Sequence, residues 1–258
     1  MFKNKNTLIT GATGRLGSEI SIMFSKLGSN LILIDNDKKK LNSLKKKIKN
    51  DKIDIHIFQC DFLKKNSRIS LLKSIKKKNY TIDFVINNAA YTGLKKNNKS
   101  WTGDFYEQNV DLWNEAIEVN LTSIFHLTKE LFKNQKKNNK FSVINIGSIY
   151  SERGPDLSLY EDTKIGSPAA YLASKGGLVL LTKWFASYLA PTRVNMISPG
   201  GIYSGQSKKF VNRYLKKLLI KRMCKTKDVV DLLIFLCSDN SKYITGQNIK
   251  IDGGYTSI

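Results

Sequence analysis

Short apolar runs and longer segments of helical period alternate along the chain from its first residues. "TLIT" (7–10) leads through glycines into a helix-patterned stretch near 15–27, and "NLILID" (30–35) is apolar almost throughout, as a strand buried on both faces must be. "LNSLKKKIKN" has helical spacing. "IDIHIFQCD" (53–61), "IDFVINNAA" (82–90) and "FSVINIGS" (141–148) read as further strands, separated by helical patterns around 64–78 and 111–134. A long helix at about 170–190, the strand "RVNMISPGG", a loop and helix over 202–222, the helix "TKDVVDLLIFLCS" and a last strand "NIKIDGG" complete the series. Such alternation predicts an α/β fold, a doubly wound parallel sheet flanked by helices on both faces. No linker or internal repeat interrupts it, so 1–258 reads as one domain.

Composition narrows the class. A chain of 258 residues can bury an ample core. Cys60, Cys224 and Cys237 lie far apart, which predicts neither a metal site nor a disulfide framework, and a reducing cytoplasm is the simplest setting. The opening "MFKNKNTLITGATG" leaves no room for a secretory apolar core. No apolar run approaches the roughly 20 residues that span a bilayer, so no membrane partner is expected. The formal charge of +22 points toward polyanions, yet only six of the 43 basic residues are arginine, the better reader of phosphates and bases. The lysines cluster with asparagine at helix ends and loops, so we expect a solvated basic surface, no nucleic-acid partner, and a field that favours small anionic ligands.

Glycines Gly11, Gly14 and Gly17 stand between a strand and a helix in "TLITGATGRLGSEISIMF". Glycine lets backbone amides approach a pyrophosphate, and the helix N-terminus adds partial positive charge. Asp35 closes the second strand about 20 residues on, where a carboxylate holds the hydroxyls of an adenosine ribose. Together they predict dinucleotide binding. A carboxylate there also repels a 2′-phosphate, which favours NAD, although Lys38, Lys39 and Lys40 nearby leave NADP open.

The candidate acid–base chemistry is ambiguous. "YEDTKIGSPAAYLASK" (160–175) holds two tyrosines, Tyr160 and Tyr171, each with a lysine four positions on, Lys164 and Lys175. On a helix that spacing puts phenol and ammonium on one face.

Several ordered stretches resemble the short-chain dehydrogenase/reductase family over essentially the whole chain: "TGATGRLG", Asp61 after the third strand, "NNAA" (87–90), "VNL" with Asn120, "IGS" with Ser148, "YLASK", "RVNMISPGG" and "GQNIKIDGGYT". The turn departs from the usual TGxxxGxG of chains this long, reading TGxxGxxG instead. The resemblance implies a Rossmann-like fold, a homodimer or homotetramer, and a dinucleotide held by Gly11, Thr13, Gly14, Arg15, Leu16, Gly17, Asp35, Asp61, Phe62, Asn88, Ala89, Tyr171, Lys175, Pro199, Gly200 and Ile202. It also implies a catalytic set of Asn120, Ser148, Tyr171 and Lys175, and no metal.

Family spacing from Ser148 lands on Tyr160, whereas Tyr171 lies 23 residues away. Helix physics favours Tyr171. Gly166 and Pro168 separate "YEDTK" from the long apolar segment that follows, and proline suits a helix start. The 22 residues from Tyr171 to Arg193 also match the family interval. We therefore assign Tyr171 and Lys175, and read 149–168 as an enlarged loop over the substrate.

A free phenol near pKa 10 needs about 4 kcal/mol of phenolate stabilisation to titrate near 7, which Lys175 and an oxidised nicotinamide are placed to supply. In the family the lysine also binds the nicotinamide ribose, the serine bonds the substrate oxygen, and the asparagine holds a water on the proton path. Ser148 as a turn cap and Asn120 as a partner for backbone groups are the plainer alternatives. His56 and His126 read as ordinary strand and helix residues, and Trp101, Trp113 and Trp184 as packing residues.

Segments 91–108, 149–168 and 202–222 should wall the substrate. Tyr91, Tyr150, Arg153, Tyr160, Gln206, Arg213 and Arg222 in them suit a polar, phosphorylated or sugar-like ligand. The stretches "IYSERGPDLSLYEDTKIGSPAAYLASKGG", "SPGGIYSGQ" and "FVNRYLKKLLIKRM" are similar to a subgroup of flagellin-modification and polysaccharide-cluster oxidoreductases, implying work on surface-glycan precursors of nonulosonic acid type. The alternatives are a 3-oxoacyl-carrier-protein reductase and a dinucleotide-sensing regulator without turnover.

Overall fold

The computed structural model describes residues 1–91, 93, 105–133, 141–163 and 166–258. Lys164, Trp101 and much of the 91–108 segment therefore lie outside the described residues. Seven strands are present: β1 (Asn6–Thr10), β2 (Asn30–Asp35), β3 (Ile55–Gln59), β4 (Phe84–Asn87), β5 (Ser142–Ile146), β6 (Arg193–Pro199) and β7 (Asn248–Ile251). They form one sheet in the order β3-β2-β1-β4-β5-β6-β7, with every neighbouring pair parallel. The chain winds outward in one direction from β1 through β2 to β3, then returns to β4 on the other side of β1. Above the C-terminal ends of β1 and β4 lies the crevice where open α/β sheets bind their ligands.

Alternation along each strand splits the core in two. Ile9, Leu31, Leu33, Ile144 and Ile197 face helices α1 (Arg15–Lys26), α2 (Lys38–Lys47) and α8 (Thr226–Cys237). Leu8, Ile32, Ile34, Val143 and Met196 face α3 (Lys65–Lys77), α5 (Ser123–Phe132) and α6 (Ala169–Tyr188). A third apolar cluster joins Ile149 and Leu159, from the loop after β5, to Phe210 and Tyr214 of α7 (Lys208–Lys216) and to Tyr255.

One predicted element is divided. The helical pattern at 111–134 becomes α4 (Val110–Ile117), a π-helical turn at Glu118–Thr122, and α5. One extra residue per turn there rotates the side chains relative to a continuous α-helix, a device that recurs at functional sites. Of the tryptophans expected to pack, Trp113 and Trp184 are partly exposed, and Trp184 stacks on Tyr188 on the outer face of α6.

The third cluster also shapes the crevice floor. The Tyr214 hydroxyl accepts the Gly201 N–H at 2.7 Å while its ring stacks on Phe210 and Tyr255. Tyr214→Phe keeps the packing and strands that part-buried amide. Urea unfolding should show a loss of about 1–3 kcal/mol; an unchanged midpoint would mean that Gly201 finds another acceptor.

Candidate active site

The residues expected to hold a dinucleotide collect along the C-terminal edge of the sheet. Gly11 takes a left-handed φ of +62°, and a Cβ there would come within 2.8 Å of Ala89 Cα. A Cβ on Gly17 would lie 2.1 Å from the Gly11 carbonyl oxygen. Internal packing explains both glycines. Gly14 differs, because a Cβ there would meet nothing closer than the Gly11 oxygen at 3.4 Å, an ordinary contact. The chain does not need a glycine at 14 for itself. It leaves open the approach to the first turn of α1, where Arg15, Leu16 and Gly17 present their amides and no side chain caps the helix. An uncapped N-terminus beside an exposed glycine fits a diphosphate.

Neighbouring strands brace this turn. Thr10 Oγ1 accepts the amides of Asn88 and Ala89, each at 3.0 Å, and Asn88 Nδ2 returns bonds to the Thr10 and Gly11 carbonyls. At the end of β2, Asp35 Oδ2 accepts the Thr13 amide at 2.9 Å, so the carboxylate lies against the glycine turn. Beyond β3, Asp61 accepts from Leu63 N–H, and Phe62 is buried beside it. Across the crevice, Pro199 is buried, Gly200 donates to the Ile251 carbonyl, and Ile202 bridges to Cys224. Arg15 spans the gap and donates to the Tyr203 carbonyl at 3.1 Å.

The tyrosines now separate. Tyr160 ends a short turn, and its hydroxyl is 2.6 Å from that of Tyr150, with its ring against Phe210. Tyr171 sits in the first turn of α6, with Pro168 as N-cap and the Gln108 side chain accepting the Ala169 amide. Lys175 follows one turn later, only 2% exposed, with Nζ donating to the Ile146 carbonyl at 2.7 Å and lying 5.9 Å from the Tyr171 ring centre. Ser148 begins the turn after β5. Its Oγ accepts the Tyr150 amide at 3.2 Å, so it is a cap, and that acceptance leaves its hydroxyl hydrogen free to turn outward. Asn120 is fully buried in the π turn: Oδ1 accepts the Tyr91 amide at 2.7 Å and Nδ2 donates to Ser174 Oγ at 3.0 Å.

Burial dominates the electrostatics. It raises the Tyr171 phenol above its ordinary value, while a hydrogen bond offered by Ser148 works against the rise. It lowers Lys175 to about 8. In the chain alone Tyr171 is therefore a neutral proton donor, the opposite of a ready-made phenolate.

A family model described as enoyl-(acyl carrier protein) reductase matches residues 11–256. Post-translational flagellin modification protein A of Campylobacter coli is 29% identical over 259 residues, covering 99% of both chains. The 3-oxoacyl-[acyl-carrier-protein] reductase FabG of Buchnera aphidicola (strain Bp) is 32% identical over 257 residues, covering 97% of this chain and 96% of the relative. Among solved structures, a short chain dehydrogenase of Leptospira borgpetersenii with bound NAD+ superposes with a TM-score of 0.83 at 32% identity, covering 99% of this chain and 94% of that one. A 4-hydroxyisoleucine dehydrogenase complexed with NADH gives 0.84 at 26% identity, covering 99% and 100%. The chain belongs to the short-chain dehydrogenase/reductase family. Members of this family are nicotinamide-dependent oxidoreductases, and the seven-stranded parallel sheet is the fold expected of one.

Within this dehydrogenase frame, several polar groups of the expected substrate wall are already bonded inside the chain. Arg153 donates to the Tyr255 and Ile258 carbonyls, Arg213 bonds the Glu161 carbonyl and pairs with Asp162, and Arg222 pairs with Asp228 at 2.7 Å. Gln206 folds back onto Ser204 and Ile202, and Tyr91 donates to Glu115. These groups fasten the loops; a row of free arginines waiting for a phosphate is not present among the described residues. For Arg153 and Arg213 the partners lie far away in sequence and spacing carries no trace of them, whereas Arg222 and Gln206 bond within six residues. Ser174 was also missed: it braces Asn120 and bonds the Tyr171 carbonyl at 2.8 Å, and its place inside "YLASK" was the available signal.

The Lys175 shift has a measurable sign. Its folded pKa of about 8 lies below the unfolded value of 10.5, so the unfolded chain binds more protons between them. Stability from this group rises with pH across that window and is lost as pH falls below it. The unfolding free energy of wild type relative to Lys175→Met should increase by an amount on the order of 3 kcal/mol between pH 7.5 and pH 10.5. A flat difference would mean that the ammonium is solvated.

Proposed function

We propose that the chain is an NAD(H)-dependent oxidoreductase that interconverts a carbinol and a carbonyl on a sugar-like, anionic substrate, such as a nucleotide sugar, in the building of surface glycans. The carrying observation is Tyr171 in the first turn of α6, one turn before a buried Lys175 whose Nζ bonds the Ile146 carbonyl two residues ahead of Ser148, on the sheet edge that also bears the open glycine turn and Asp35. The bound nicotinamide supplies or accepts the hydride. Tyr171 gives its proton to the substrate oxygen during reduction and takes it back in the reverse direction. Ser148 donates a hydrogen bond to the same oxygen. Lys175 keeps a positive charge within reach of the phenol and of a ribose hydroxyl. With Asn120 Oδ1 bonded to Tyr91 and Nδ2 to Ser174, the main-chain carbonyl of the π turn is the group that would hold a water joining Lys175 to solvent.

The Campylobacter flagellin-modification relative supports the glycan assignment. The FabG relatives favour a second reading, a 3-oxoacyl-carrier-protein reductase, in which the basic surface meets an acidic carrier. Against that, Asp35 disfavours a 2′-phosphate and so favours NADH. A sensor without turnover has no need of a complete Tyr171, Ser148 and Lys175 set. Val110, Trp113, Phe125, Leu180, Trp184 and Tyr188 expose apolar surface on α4, α5 and α6, which suits a homodimer or homotetramer.

Nucleotide sugars and acyl thioesters, each offered with NADH and NADPH, separate the readings by the fall in nicotinamide absorbance. Turnover of a nucleotide sugar with NADH is expected; turnover of acyl thioesters alone with NADPH would replace the glycan reading. Tyr171→Phe should reduce that turnover by about 10²–10⁴-fold with NADH binding retained, while Tyr160→Phe should remain active. The reverse pattern would move the acid to Tyr160. Light scattering should report a dimer or tetramer, and a monomer would remove the role given to the exposed face.

A further inference from the structure

Arg68, on α3, is 3% exposed and belongs to none of the groups so far described. Its guanidinium reaches three separate segments. Nη1 donates to the Phe62 carbonyl, Nη2 pairs with Glu118 Oε1, and Nε donates to His126 Nδ1 at 3.3 Å. Phe62 belongs to the loop after β3, whose Cys60 amide donates to the Asp35 carbonyl, so it lies on the side read as holding the adenosine half of the dinucleotide. Glu118 opens the π turn that carries Asn120. The preceding residue joins in, since Ser67 Oγ accepts the Asp61 amide at 3.0 Å. Consecutive residues of α3 thus hold consecutive residues of the loop.

We infer that Arg68 is a positioning residue that joins the adenine-side loop to the turn bearing Asn120, so that the two ends of the crevice hold one geometry. This rests on the dinucleotide reading above and deepens it. At its depth Arg68 cannot touch a ligand in the crevice, so it acts only through what it holds. Removing the guanidinium alone would leave Glu118 and the Phe62 carbonyl without their partner, so its loss costs the fold as well as the site. What an apolar residue cannot do is bond a carbonyl on one segment and a carboxylate on another through a single rigid fork. His126 fits the same arrangement. Its Nδ1 accepts from Arg68, so the ring is neutral, and burial together with the Arg68 charge keeps its pKa below the ordinary value.

The test uses the full chain, with Arg68→Met and Glu118→Gln compared by melting curve, by calorimetric titration with NADH and with ADP, and by kcat with whichever nucleotide sugar or acyl thioester the wild type turns over. ADP carries only the adenine half. Arg68→Met should weaken NADH and ADP by a similar factor of about ten, the loss of one positioned contact. Glu118→Gln leaves the Phe62 bond intact, so it should keep both affinities within about twofold while lowering kcat about fivefold. If Arg68→Met weakens NADH but not ADP, or neither, the inference is overturned. Should that variant fail to fold, Glu118→Gln decides alone, and an unchanged kcat overturns the inference. Wild type that binds neither NADH nor ADP would instead overturn the dinucleotide reading itself.

Discussion

The bond from Lys175 Nζ to the Ile146 carbonyl ties helix α6 to the end of strand β5, and the acid–base geometry depends on it. A buried ammonium is costly unless it is partnered, so the helix can take only a rotation that brings Lys175 onto that carbonyl. One turn away, this rotation turns Tyr171 toward Ser148, which follows Ile146 by two residues on the same strand end. Pro168 starts the helix at the right residue, and the Gln108 side chain caps it from the neighbouring segment. Helix, strand and loop are thus aligned by one desolvated charge.

The rest of the crevice follows a different logic. On the nucleotide side, the constraint is close approach of backbone to backbone, and two of the three glycines are required by that alone. Gly14 and the uncapped start of α1 are the parts left over for a ligand. Asp35 serves both purposes, bracing Thr13 while standing where a ribose would lie. A site assembled this way is pre-formed, because each group that faces the crevice is also held from behind.

Much of this was legible beforehand because its causes are local. Strand and helix periods, the strand-turn-helix glycines and the proline before Tyr171 each act within a few residues of where they are read. The π turn was not legible, since the apolar spacing through Leu112, Ala116, Val119, Ile124 and Leu127 satisfies a helix with or without one extra residue in a turn. The partners of the arginines were not legible for a related reason. Whether Arg213 meets a phosphate or the Glu161 carbonyl is settled by the packing of α7 against the loop after β5, a contact between segments far apart in sequence. Arg68 sits on a lysine-rich helix where nothing in the spacing marks it for burial, and only the fold reveals it.

The central claim is that burial in the isolated chain keeps Tyr171 protonated, so that the phenol waits as a proton donor until a ligand changes its surroundings. Carbon NMR of ring-labelled tyrosine, comparing wild type with Tyr171→Phe, identifies the Tyr171 resonance and follows it with pH. Without dinucleotide, that resonance should keep its protonated position past pH 10, the ordinary value for tyrosine. A transition well below pH 10 would show a phenolate already stabilised by Lys175 and would contradict the account.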